Sequence, residues 1–168
     1  TPAPLLWIIA HNERSICFLN RGLISSDNFF EIRTSKFNHL YLALYLSSTL
    51  GCLIREIYGR SNFGGGLLKT QKPDLQKFPI LSENHLKFMH NSVSNFISRA
   101  NHSIFIECGL NPNSDVPISE QIPEPISDRK NIDNEIFDAL NLTHEEQIEV
   151  YRAVCQLVWN RISKAKSM

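Results

Sequence analysis

No apolar run in the sequence reaches the roughly 18 to 20 residues that a bilayer-spanning helix needs, so a soluble chain with no membrane partner is expected. No stretch joins a basic region, an apolar segment and a small-residue cleavage site, and Thr1 stands where an initiator Met would. That start reads as a piece cut from a longer protein. Cysteine is sparse and never paired as C-x-x-C: Cys17, Cys52, Cys108 and Cys155 are scattered, which argues against a zinc ribbon or a disulfide framework and for a reducing, cytoplasmic home. Net charge is also lacking. The formal balance is zero, yet residues 1–82 carry nine basic groups against five acidic, and the remainder carries the matching acidic excess. A basic first half suits a polyanionic partner.

The chain of 168 residues is 42% hydrophobic and 20% charged, the composition of a globular protein with a real core. Residues 4–10 (PLLWIIA), 15–19 (SICFL) and 28–33 (NFFEIR) are short runs rich in Ile, Phe and Trp, separated by polar turns, which is the punctuation of strands. From residue 38 to 60 the period becomes helical, with Leu50, Leu53, Ile54 and Ile57 on one stripe. One long helix is expected there, with Gly51 marking a close backbone approach or a break and Gly59 its stop. The KFPIL segment at 77–81 reads as a further strand, restricted to an edge by Pro79. Ser82 caps an expected helix carrying Leu86, Met89, Val93, Phe96 and Ile97, and residues 103–108 (SIFIEC) read as a returning strand.

Four prolines between 111 and 127 deny that segment regular helix. Beyond it, Asp128 is placed to cap a helix with Ile132, Ile136, Phe137 and Leu140 on one face, and Asn141 to end it in left-handed geometry. Thr143 and Glu146 form a capping box opening a second helix, whose buried stripe is Tyr151, Val154, Val158 and Ile162. The expected architecture is α+β: a small twisted β-sheet from the early strands and the KFPIL region packed on a long helix, followed by a C-terminal helical hairpin. Its parts are a core at 1–108, a Pro-rich connecting loop at 109–127 and the hairpin at 128–168.

The stretch GRSNFGGGLLKTQKPDL, with three consecutive glycines, invites a phosphate-loop reading that it does not satisfy. In a Walker loop the Lys directly follows a Gly, whereas Leu67 and Leu68 precede Lys69, and the element before it is helical. Two readings stay open: a tight turn that lets two elements pack, or backbone amides brought close to an anion. His85 and His90 are five apart instead of the three or four that align two imidazoles on a helix, so no metal site is assigned. Cys108 with His102 as nucleophile and base lacks a surrounding signature, and Asp74 with Asp128, a loose likeness to a nuclease carboxylate set, gives way to the reading of Asp128 as a helix cap. No catalytic residue is assigned.

Three segments carry a resemblance: LISSDNFFEIR, EIYGRSNFGGGLLKTQKPDLQKFPI and DRKNIDNEIFDALNLTHEEQIEVYRAVCQLVWNRISKA. They resemble, in the same order, the C-terminal target-recognition domain of adenine-N6-specific DNA methyltransferases of the Taq type, as found in Type II and fused Type IIG restriction-modification enzymes. The likeness runs along nearly the whole chain and is strongest over residues 60–79 and 128–161. In that family an N-terminal domain binds S-adenosylmethionine and methylates adenine; its Asn/Asp-Pro-Pro-aromatic signature is missing here, the nearest approach being Asn111-Pro112-Asn113. The resemblance therefore implies a fragment without catalytic activity or cofactor of its own, whose partners are double-stranded DNA and the methyltransferase domain of the same chain.

On this reading Arg60, Lys69 and Lys72 supply positive charge, Asn62 and Gln71 offer amides to bases, and Gly64, Gly65 and Gly66 let the backbone come near DNA. Two rival classes are a protein-interaction module, as in a specificity subunit, whose hairpin docks a partner subunit, and an independent hydrolase or nuclease. The interaction module would show an exposed apolar stripe on Val154, Val158 and Ile162.

Overall fold

The computed structural model describes residues 1–22, 27–61, 64–86, 96 and 99–167, and in them the chain is α+β with a small antiparallel sheet and a C-terminal helical hairpin. Strand β1 (Leu5–Ile8) is the centre of a three-stranded sheet, flanked by β3 (Cys17–Leu19) and β4 (Phe29–Ile32), with Trp7 opposite both Cys17 and Phe30. Strand alternation sends Leu5 and Trp7 into the core beside Cys17. After Ile8 the chain continues as β2 (Ala10–His11), which pairs with β5 (Leu68–Lys69) in a second, two-stranded sheet.

Helices α1 (His39–Ser47) and α2 (Thr49–Tyr58) replace the single long helix expected, and they meet at 68°. Ser48 makes the break. Its hydroxyl donates to the Tyr45 carbonyl at 2.7 Å, ending α1, and accepts from the Gly51 N–H at 3.1 Å, starting α2. A Cβ at Gly51 would run into the Tyr45 carbonyl oxygen, so the bend needs glycine there. Residues Tyr41 to Ser47 are all buried, because α1 is covered on every side, and a helix apolar all round shows no stripe to read.

Two expected strands are corrected. Residues 103–108 contain helix α5 (Ile104–Cys108), started by Ser103 and ended by Gly109 at φ 66°; its short helix α3 (Lys72–Leu75) and α4 (Glu83–Leu86) predecessors lie between β5 and it. The KFPIL segment forms no strand: Phe78 lies edge-on to Trp7 with ring centres 5.5 Å apart, and the Pro79 carbonyl accepts from Tyr45 Oη at 2.9 Å. Met89, Val93 and Ile97 of the helix expected after Ser82 fall outside the described residues.

The hairpin is α6 (Ser127–Ala139) and α7 (His144–Lys166), turned by Asn141 at φ 54° and started by the Thr143–Glu146 capping box. Asp128 is not its cap. Ile126 holds that position, and Asp128 instead receives the Arg99 guanidinium, Nη2 donating to Oδ1 at 3.0 Å. Val154, Val158 and Ile162 are buried, with α7 packed on α2, so the hairpin shares one core with the rest. The four cysteines lie inside that core as free thiols, and burial pushes Cys17 up to about 12 and Cys52 to about 11.

A buried polar knot joins α2, α5 and α6. Glu107 Oε2 accepts from Arg129 Nε at 2.7 Å while both its oxygens accept from Arg99, also at 2.7 Å. Arg129 Nη1 reaches Thr49 Oγ1 at 3.1 Å, and Asp133 accepts both the Thr49 N–H (2.8 Å) and its hydroxyl (2.6 Å), tying down the first turn of α2. Burial alone would raise the Glu107 carboxyl, but the Arg99 hydrogen bonds and the Arg129 charge hold it at about 2. Its stabilisation is therefore complete above the ordinary value of 4.5 and lost as pH falls towards 2. Glu107→Gln removes the carboxylate that accepts from Arg129 Nε and from Arg99, leaving Asp133 as the buried counter-charge of Arg129, and a loss of about 3 kcal/mol is expected in urea unfolding at pH 7; a loss under about 1 kcal/mol would show that the knot carries no such weight.

Candidate nucleic-acid interface

The segment between α2 and α3 turns back on itself, so that Arg60 and Lys69 exchange two backbone hydrogen bonds of 2.9 Å across an antiparallel bridge. Residues directly opposed in this way project to the same face, and two like charges so placed repel. Asp74 partly offsets them: its Oδ1 accepts from Arg60 Nη2 at 3.0 Å and its Oδ2 from the Gln71 N–H at 2.9 Å, which together hold its carboxyl below the usual range. Arg60 stays half-exposed despite that pair, and Lys72, the first residue of α3, is exposed. Between Arg60 and Lys77 the sequence holds four basic residues and one acidic.

At the tip of this reversal the Leu67 N–H donates to the Gly64 carbonyl at 3.1 Å, and Gly64, Gly65 and Gly66 all have positive φ, at 75°, 56° and 69°. Only glycine adopts three such residues in a row at little cost. Gly64 and Gly65 are exposed, and a Cβ on either would meet nothing within 4 Å among the described residues. Gly66 differs: it is buried, and its Cβ would stand 3.0 Å from Ile162 Cα on α7. The neighbour that crowds Gly66 is therefore the chain's own helix, while the other two face outward. On one side of the turn an open groove of about 540 Å³ is bordered by Ile8, Asp27, Asn28, Phe29, Leu67 and Lys69, so one carboxylate shares it with the lysine.

Arg161, which the sequence did not single out, fixes the turn in place. Its guanidinium donates to the carbonyls of Gly66 and of Asn12 (2.7 Å) and forms a two-pronged pair with Glu56 at 2.8 and 3.0 Å. Beside it lies Arg55, fully buried, with no carboxylate against its guanidinium among the described residues; it donates to Thr70 Oγ1 and Ser15 Oγ at 3.0 Å and covers the Trp7 ring at 4.7 Å. Burial lowers Arg55 to about 10, still charged at neutral pH.

Of the residues assigned from sequence, Arg60, Gly64, Gly65, Gly66, Lys69, Gln71 and Lys72 are brought to this one reversal, with Gln71 half-buried at the start of α3; Asn62 lies outside the described residues. The other sequence candidates are spent elsewhere. Cys108 has no exposed surface, and burial pushes its thiol well above the ordinary range, while Asp74 and Asp128 each engage an arginine. Among the described residues no group of three His, Cys, Asp or Glu side chains is placed to hold a metal ion, and no single helix is long and apolar enough to cross a membrane. The Val154, Val158 and Ile162 stripe is covered by the chain itself. In comparisons with known proteins the chain matches no family model, no curated protein and no solved structure.

Buried His11 sits under the turn, opposite Leu68, its Nδ1 3.1 Å from the Asn12 carbonyl. Burial first, then the charges of Arg55 and Arg161, lower its pKa from 6.5 to about 3. The unfolded chain therefore binds a proton here that the folded chain refuses, and stability falls as pH drops from 6.5 towards 3. Chemical unfolding of His11→Gln across that range is expected to show a shallower acid-side decline than the natural chain; parallel curves would mean that His11 takes up its proton without opening the turn.

Proposed function

We propose that this chain is the sequence-specific DNA target-recognition part of an adenine-N6 DNA methyltransferase or fused restriction-methylation enzyme. The observation that carries the reading is the reversal at residues 60–72. Cations are set against one another at its base, and Gly64 and Gly65 stand exposed at its tip, so that backbone amides and positive charge meet the same neighbour. Arg60 stays half-exposed beside Asp74 and Lys69 stands opposite it on the same face, so a phosphate placed against that face meets charge from both. The resemblance of residues 60–79 and 128–161 to Taq-type enzymes adds the reaction context, and the α+β fold is consistent with it.

On this reading the division of labour is physical. Lys69, Lys72 and the glycine turn grip the sugar-phosphate backbone and supply affinity without sequence information, while Gln71 and Asn62 are the amides able to pair with base edges. Methyl transfer, and the S-adenosylmethionine it consumes, belong to a methyltransferase domain in the same chain, which extrudes the target adenine from a duplex held between the two domains. The present residues position the duplex and perform no covalent step.

Fluorescence anisotropy with a labelled duplex tests this. If about six phosphates are neutralised, the association constant falls roughly 10³-fold between 50 and 200 mM salt. Lys72→Ala is expected to weaken binding to all sequences alike and to lower the salt slope by about one. Binding that ignores salt, or no binding at the lowest salt, would overturn the proposal.

A further inference from the structure

The far side of the glycine turn is walled by the last turns of α7. Leu157, Asn160, Arg161 and Lys164 recur at spacings of three and four and share one helix face. That face and the start of the reversal at Gly59 and Ser61 border an open groove of about 250 Å³, with Glu56 and Arg161 paired in it. Arg161 is spent on Glu56, Gly66 and Asn12. Lys164 is exposed and has no ion pair among the described residues, so it is the groove's available cation.

Asn160 is exposed, and its Oδ1 faces Gln156, accepting from Nε2 at 2.8 Å, so the amide nitrogen on the other side is the donor it offers. A lysine and an amide donor one helical turn apart, with the amide oxygen turned to Gln156, favour a ligand rich in acceptors and negative charge. A phosphodiester backbone is such a ligand. The distance between this wall and the turn is also fixed in advance, because Gly66 is packed on Ile162 and its carbonyl is held by Arg161. Little ordering is left to be done on binding.

We infer that the C-terminal end of α7 forms a second phosphate contact, made by Lys164 and Asn160, on the opposite side of the glycine turn from Lys69. This rests on the DNA reading above. It extends the contact surface from the reversal alone to a helix about 100 residues later in the chain, the separation over which Arg161 reaches Glu56 being 105 residues.

The test uses the full chain and the same labelled duplex at low salt, with Lys164→Ala, Lys164→Glu, Lys164→Arg and Lys72→Ala compared. Lys164→Ala is expected to weaken binding about three- to tenfold for all sequences and to lower the salt slope by about one. Lys164→Glu should weaken it further, and Lys164→Arg should retain it. The thermal midpoint of each variant separates lost charge at the interface from lost interaction with the helix's own C-terminal carbonyls, since only the latter moves the free protein. If Lys72→Ala weakens binding while Lys164→Glu binds like the natural chain, this second contact is wrong and the DNA reading stands. If the natural chain shows no salt-dependent binding, both fall together.

Discussion

Arg161 holds the reversal that the candidate interface is built on. One guanidinium reaches a carboxylate on α2, a carbonyl beside β2 and the carbonyl of Gly66, so three segments distant in sequence are fixed relative to one another from a single point on α7. At the exposed tip, a Cβ on Gly64 or Gly65 would touch none of the described residues. Its position is inherited from Gly66, which is pressed against Ile162 and tied to Arg161. Without that arginine the three left-handed glycines would have many conformations of similar energy, and fixing them on binding would consume affinity.

Helix α2 is secured in this way at both ends. Near its start, Asp133 accepts from Thr49 and Arg129 reaches the Thr49 hydroxyl; near its end, Glu56 pairs with Arg161. Both knots link α2 to the C-terminal hairpin, which is why the hairpin belongs to the same core rather than swinging free. Buried ion pairs seldom add much net stability over well-packed apolar groups, because desolvation consumes most of the attraction. They do make wrong arrangements expensive, since any slip of the hairpin along α2 leaves charges without partners. The orientation of α7 against the glycine turn is set by this exclusion as much as by the apolar stripe of Val154, Val158 and Ile162.

Local signals were readable in the sequence where the energy is local. The early strands, the left-handed Asn141, the Thr143 capping box and the stripe of α7 follow from alternation, capping chemistry and period, and each is present. Gly51 signals the close approach and break between α1 and α2, while the bend at Ser48 itself has no signal, because α1 is buried all round and its apolar residues show no period to interrupt. Residues 103–108 depart from the expected strand for the opposite reason: Ile104, Phe105 and Ile106 favour strand, while the flanking Ser103 and Gly109 supply the helix start and stop that prevail. The glycine turn announced itself by composition. Its supports did not, since Arg161 acts over 95, 105 and 149 residues of separation, and no spacing rule spans such distances.

The interior placement of Cys17, Cys52, Cys108 and Cys155 has a consequence beyond packing. With every thiol enclosed, the chain has no ready route to intermolecular disulfides while it is intact, and the reactivity of its thiols towards electrophiles measures how often it opens rather than how nucleophilic any one of them is. The thiols divide between the sheet at Cys17, helix α2 at Cys52 and the α5–α7 contact at Cys108 and Cys155. They form a built-in set of reporters, one for each region, on which part of the molecule loosens first.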